Sequence, residues 1–237
     1  MSSPNQSPDP KVVVACDFDN LSTLERFVDS VDPALCKLKI GKELFTYFGP
    51  QAVKPLVNKG FDVFLDLKFH DIPNTVAKAC LAAADLGVWM INVHASGGAK
   101  MMSHTMAQLQ QFGPERPKLI AVTVLTSMDE TQLHQVTPDI AIIDQVQKLA
   151  ALSHDSGLDG VVCSAREAKV LRQQFKDDFL LVTPGIRPVG SDVGDQIRVM
   201  TPPQAMLDGV SYMVIGRPIT QSADPVQTLL EINQSIA

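Results

Sequence analysis

Short apolar, β-branched runs alternate with longer helical patterns from end to end of this 237-residue chain. The runs fall at residues 12–16, 35–40, 63–68, 88–93, 119–124, 160–163, 179–182 and 212–215. Helical periodicity fills the intervals at 21–31, 42–58, 75–86, 99–111, 140–155, 165–174, 202–207 and 225–236. Ser22 is placed to cap the first helix, and Gly49-Pro50 splits the second into a short and a longer piece. Strands separated by helices pair in parallel through right-handed crossovers. Eight such units without a break predict one α/β domain, a single (β/α)8 TIM barrel over residues 11–237. No GxGxxG follows the first strand, which removes the main sign of a dinucleotide-binding open sheet.

Composition closes off other classes. A net charge of −6 and a pI near 5.3 argue against nucleic acid or an anionic membrane as the main partner. No apolar stretch approaches the roughly 18 residues of a membrane span, and residues 1–10 carry neither the basic nor the apolar region of a signal peptide. They are expected to form a disordered lead-in, and the protein to be cytoplasmic. Cys16, Cys36, Cys80 and Cys163 are widely spaced with no CxxC pair, and are expected to be buried free thiols.

Charges at the strand ends carry the chemistry. Side chains two apart on a strand share a face. Over residues 63–69, Val63, Leu65, Leu67 and Phe69 therefore face the helices, while Phe64, Asp66 and Lys68 point into the barrel. Asp17 ends the first strand and Lys39 the second, so Asp17, Lys39, Asp66 and Lys68 converge at the carboxyl-terminal mouth, where barrel active sites lie. A structural ion-pair network is the alternative. Buried pairs stabilise poorly, and a barrel built for stability alone would place Val, Ile or Leu here. Asp71 lies past the strand end and can face this cluster or a neighbouring chain. Lys37 shares the parity of Lys39 but lies deeper, and its setting is left open.

A second group suits phosphate. Gly216-Arg217-Pro218 ends the eighth strand, with a close backbone approach, a guanidinium fork and a helix start. The loop at 184–203 begins in Thr183-Pro184-Gly185-Ile186-Arg187-Pro188 and is long for a βα connection. It is expected to cover the substrate. Thr126 and Ser127 follow the fifth strand and can either meet a ligand or cap a helix near Asp129. His70 and His94 read as hydrogen-bonding scaffold. Without HxH or HExxH spacing, and with two lysines balancing the carboxylates, no metal is expected.

Asp66-x-Lys68-x-x-Asp71, continued by Ile72-Pro73-Asn74-Thr75, resembles the orotidine 5′-phosphate decarboxylase family over almost the whole chain. Asp17, Lys39, Thr126, the 183–188 run, Gln196 and Gly216-Arg217-Pro218 match it too. The resemblance implies conversion of orotidine 5′-phosphate to uridine 5′-phosphate by a homodimer, without metal or organic cofactor. It makes Lys68 the proton donor to pyrimidine C6, in an alternating network with Lys39, Asp66 and the Asp71 of the other subunit. It places Asp17 and the other subunit's Thr75 at the ribose, with that subunit's Ile72 lining the pocket. Thr126 falls at the pyrimidine, and Arg187, Gln196, Gly216 and Arg217 at the phosphate and lid. A magnesium-dependent phosphosugar enzyme with the same third-strand motif and a non-enzymatic phosphonucleotide-binding barrel are the competing readings.

Overall fold

The computed structural model describes residues 9–188 and 200–237. Among them eight strands form a closed parallel barrel in sequence order, β1 Val12–Ala15, β2 Lys37–Gly41, β3 Val63–Phe69, β4 Met90–His94, β5 Lys118–Val122, β6 Gly160–Val162, β7 Leu180–Thr183 and β8 Tyr212–Ile215. Closure is made by β1 against β8, with Val13 opposite Val214. This is the expected (β/α)8 architecture.

Alternation along each strand sorts the core into two layers. Val13, Phe64, Met90, Ile120, Val182 and Val214 fill the barrel interior. Their neighbours, among them Val14, Leu65, Ile91, Leu119, Leu181 and Met213, pack outward against the helices. None of the four cysteines is in a disulfide, and all are buried within this outer layer or the helices over it; burial raises the thiol pKa of Cys36 and of Cys80 to about 12.

The helices are α1 Leu21–Ser30, α2 Lys42–Phe48, α3 Lys54–Asn58, α4 Pro73–Ala84, α5 Ala99–Leu109, α6 Glu130–His134, α7 Ile142–Asp155, α8 Ala165–Gln174, α9 Pro202–Leu207, α10 Arg217–Thr220 and α11 Pro225–Ser235. A 3-10 turn at Gly49–Ala52 separates α2 from α3 where Gly49-Pro50 predicted a break. The short α6 and α10 lie where the sequence placed a helix near Asp129 and a helix start at Gly216-Arg217-Pro218. α1 is capped by Asn20, not Ser22: the Asn20 residue is extended and its Oδ1 accepts from the Thr23 amide at 2.9 Å. Ser22 already lies inside the helix and donates its hydroxyl to Asn20. Pro73 opens α4, where its missing N–H costs no helical bond.

Gly87 and Gly157 turn the chain from α4 into β4 and from α7 into β6 at φ of +78° and +80°, which side chains with a Cβ rarely adopt. No helix among the described residues is long and apolar enough to cross a membrane. Residues 1–8 of the expected lead-in lie outside the described residues.

Candidate active site

Parity along β3 holds through to its end, but the backbone does not stay regular. Leu65 faces Ile91 on β4 and Phe69 faces Val93, so four steps on β3 oppose two on β4. The surplus of two keeps Asp66 and Lys68 on the interior side, while Leu67 and Phe69 pack outward. Lys68 takes a φ of +54° in the middle of this bulge. A bulky residue there carries strain of about 1–3 kcal/mol that its surroundings must hold in place.

The ionisable side chains form a row of alternating sign. Asp17 Oδ1 is 3.1 Å from Lys39 Nζ, which is 3.5 Å from Asp66 Oδ2. Asp66 Oδ1 is in turn 2.6 Å from Lys68 Nζ. Lys39 is only 7% exposed. Burial pulls its ammonium toward neutrality, but Asp66 and Asp17 outweigh that and hold its pKa above the ordinary lysine value. Lys39 is therefore a fixed cation in a largely desolvated setting, where its charge acts strongly.

Two residues that the sequence reading passed over shape this row. Gly41 ends β2 opposite Asp66. A Cβ there would come within 3.2 Å of both Asp17 Oδ1 and Lys39 Nζ, so any larger residue would make the ion pair give by a few tenths of an ångström. Asn92 on β4 is fully buried; its Nδ2 donates to Asp66 Oδ1 at 2.7 Å and its Oδ1 accepts from the Lys68 amide at 2.8 Å. The interior parity of Asn92 with Met90 and His94 was the available signal. The bulge that makes it matter was not visible in sequence.

Beside the row opens a cavity of about 340 Å³ lined by Ala15, Asp17, Lys39, Pro184, Gly185, Arg187, Val214, Gly216, Arg217 and Gln221. It brings the end of β1, the Asp17–Lys39 end of the charged row and the two arginines of the expected phosphate group into one space, while Asp66 and Lys68 continue the row beyond its lining. A Cβ on Gly216 would come within 3.3 Å of the Ala15 Cβ, so glycine lets the end of β8 lie close to β1. The Arg187 amide donates to the Met200 carbonyl at 2.9 Å, which ties together the two described ends of the long β7 loop. Gln196 falls between them, outside the described residues.

Other expected residues lie elsewhere. Asp71, Ile72 and Thr75 are exposed around the start of α4, with Ile72 67% exposed, and none lines the cavity. Ile72 instead edges a groove of about 560 Å³ with Pro73, Asn74, Lys100, Ser103, His104 and Ala107. Thr126 is half-buried in the loop after β5 and does not line the cavity. It does not cap α6 either, since Asp129 does so in a capping box with Gln132. His70 and His94 have ring centroids 5.5 Å apart. Burial, then His70, Lys42 and Lys68, hold His94 below the ordinary histidine pKa against the opposing pull of Asp66, which favours its neutral form near pH 7. Among the described residues no three His, Cys, Asp or Glu side chains cluster so as to hold a metal ion.

Lys37, left open by the sequence, is at the other end of the barrel. Only 2% exposed, it pairs with Asp62 and, at 2.9 Å, with Asp9 Oδ1, and its ammonium lies 4.5 Å from the centroid of the Trp89 ring.

Fold and site together define a (β/α)8 barrel with a row of alternating acid and lysine at the mouth of an arginine-flanked cavity. Residues 10–232 match the model of the orotidine 5′-phosphate decarboxylase / HUMPS family, and the chain belongs to that family. It is 64% identical over 229 residues to an orotidine 5′-phosphate decarboxylase of Pseudoalteromonas atlantica, covering 97% of this chain and 99% of the relative. It is 60% identical over 232 residues to one of Pectobacterium atrosepticum, covering 98% and 94%. Among solved structures, the orotidine 5′-phosphate decarboxylase of Lactobacillus acidophilus superposes with a TM-score of 0.86 at 39% identity, over 96% of this chain and 99% of that one.

Proposed function

We propose that this protein decarboxylates orotidine 5′-phosphate to uridine 5′-phosphate and CO2 in pyrimidine biosynthesis, as a cytoplasmic carboxy-lyase that needs no metal or organic cofactor. The observation that carries this reading is the unbroken row Asp17–Lys39–Asp66–Lys68 at the edge of a cavity that also holds Arg187 and Arg217. Family membership and relatives of that name at 60% identity or more support it.

Loss of CO2 leaves an electron pair at pyrimidine C6 with little delocalisation into the ring. A cation already in place stabilises that charge without solvent having to reorganise. Lys68 is that cation, and it then delivers its proton to C6. Asp66 holds the ammonium at 2.6 Å and Lys39 balances Asp66 from the other side. Asp17 contacts the ribose region and Thr126 the pyrimidine. Arg187, Gln196, Gly216 and Arg217 bind the phosphate, and closure of the loop over it lends remote binding energy to the chemical step.

In this reading the protein is a homodimer, and Asp71, Ile72 and Thr75 of one subunit complete the site of the other. Their exposure around the start of α4, with a large apolar Ile72 on the surface, supports that assignment.

The test is CO2 release from orotidine 5′-phosphate by purified protein in EDTA. Turnover is expected, its absence sinks the reading, and turnover only after added magnesium favours the metal-dependent phosphosugar alternative. Mixing inactive Asp71→Ala with inactive Lys68→Ala protein should restore activity to a fraction of the dimers. No recovery after demonstrated subunit exchange would place Asp71 in its own subunit's site.

A further inference from the structure

We propose that Asn92 is a positioning residue for Lys68, a carboxamide clamp that holds both the Asp66 carboxylate and the left-handed backbone of Lys68 in their working geometry. The inference rests on the decarboxylase reading for its functional consequence, and on geometry alone for the clamp itself.

A barrel interior is ordinarily filled with branched apolar side chains, and Ile120, beside Asn92 on β5, is one. A fully buried amide is costly there unless its polar atoms are bonded. Both ends of Asn92 are engaged, and both on the same short stretch of β3. The bulge opposes four steps of β3 to two of β4, so this stretch leaves the regular ladder. The Lys68 amide donates to Asn92 Oδ1 instead. The side chain of β4 thus substitutes for a ladder acceptor and lets Lys68 stay at a φ of +54°. The same carboxamide donates to the oxygen of Asp66 that also meets Lys68 Nζ, so the acid and the lysine it holds are tied to one rigid planar group.

The chemistry selects Asn. The position needs one donor and one acceptor on a short planar group, which excludes apolar residues and an ionised carboxylate. Asp at this point would keep an acceptor for the Lys68 amide but set a second anion against Asp66. Around that carboxylate stand Lys68 on β3, Lys39 on β2 with Asp17 beyond it, and His94 on β4 flanked by His70 and Lys42. None of these replaces the donor that Asn92 supplies to Asp66 Oδ1.

Two variants test the clamp. Asn92→Leu removes both bonds at similar volume, and its kcat should fall about 10²-fold, the scale of a misplaced reacting group, with affinity for uridine 5′-phosphate within about threefold of the parent protein. Asn92→Asp should be impaired at pH 8 and gain activity as pH falls toward about 5.5, because two adjacent carboxyls share a proton and the introduced one becomes a donor again. The parent protein should show no such rise. A kcat for Asn92→Leu within threefold of the parent, or an Asn92→Asp profile parallel to it, overturns the proposal. If Asn92→Leu fails to fold, the Asn92→Asp profile decides. If the parent protein itself does not turn over orotidine 5′-phosphate, the decarboxylase reading fails, and a crystal structure of either variant still judges the clamp. Lys68 should leave positive φ or move away from Asp66 in Asn92→Leu, and an unchanged Lys68 backbone and Lys68–Asp66 contact would refute it.

Discussion

Lys37 and Lys39 stand two residues apart on β2, both buried, both facing into the barrel and both paired with two carboxylates. They do opposite things. Lys37 closes the amino-terminal end, where the Asp9 and Asp62 carboxylates hold its ammonium against Trp89 and Tyr212. Trp89 and Tyr212 meet edge to face at 4.9 Å, and the Tyr212 hydroxyl donates to Asp9, so the charge is enclosed by rings and spent locally. Lys39 faces a cavity instead, and its row runs on to a second lysine. A buried ion pair is thus a plug where its surroundings are complete, and a candidate site where one side opens on a cavity.

The largest effect should come from the open end. Lys68→Ala should lower turnover of orotidine 5′-phosphate by at least about 10³-fold, since in the proposed mechanism Lys68 is both the transition-state cation and the proton donor. Uridine 5′-phosphate, which lacks the carboxylate, should still bind. Ordinary turnover by this variant would end the proton-donor assignment.

The matched pair Lys39→Met and Lys37→Met addresses the comparison directly. Lys39→Met leaves Asp66 without one of its two cations and should cost about 10²-fold in kcat/KM. Lys37→Met should leave kcat and KM within about twofold. Its loss should appear in unfolding free energy, at about 1–3 kcal/mol. That is below the roughly 3–5 kcal/mol of a fully buried broken pair, because Asp9 and Asp62 are half exposed and can turn to water. Comparable activity losses in both variants would show that the two ends are not separate in function.

Sequence carried most of this far, and its failures have physical causes. Strand parity placed Asp66, Lys68 and Lys39 because alternation is a property of the backbone itself, and the barrel followed from eight repeats of one unit. Lys37 obeys the same parity as Lys39, so parity could not say which end of the barrel each would reach. That depended on Asp62 in the loop before β3, and on Asp9, a residue in the segment expected to be a lead-in. Asn92 and Gly41 were missed because each acts through tertiary contacts, across a bulge and beside an ion pair respectively, and parity alone does not report those contacts. Asp71, Ile72 and Thr75 cannot be placed in a site by one chain, since they are exposed and none lines its own cavity.

The smallest and sharpest contrast lies in acid. Burial works against ionisation of Asp9, but hydrogen bonds from Lys11 and Lys37, the Lys37 charge, and the Tyr212 hydroxyl outweigh it and hold its carboxyl below the ordinary value of 3.8. A carboxyl lowered in the folded state contributes stability above its unfolded pKa and loses it as pH falls through the folded one, because the unfolded chain binds the proton first. The stabilisation that Lys37 provides should therefore be constant from about pH 7 to pH 5 and shrink below roughly pH 4. Urea unfolding of the parent and Lys37→Met proteins across that range measures it, with a difference that narrows by about 1 kcal/mol or less at the acid end. A gap that stays constant down to pH 2.5 would mean that Lys37 stabilises through its contact with the Trp89 and Tyr212 rings rather than through Asp9. The plug would then be an aromatic one that happens to carry a charge, and its likeness to the row around Lys39 would be one of composition only.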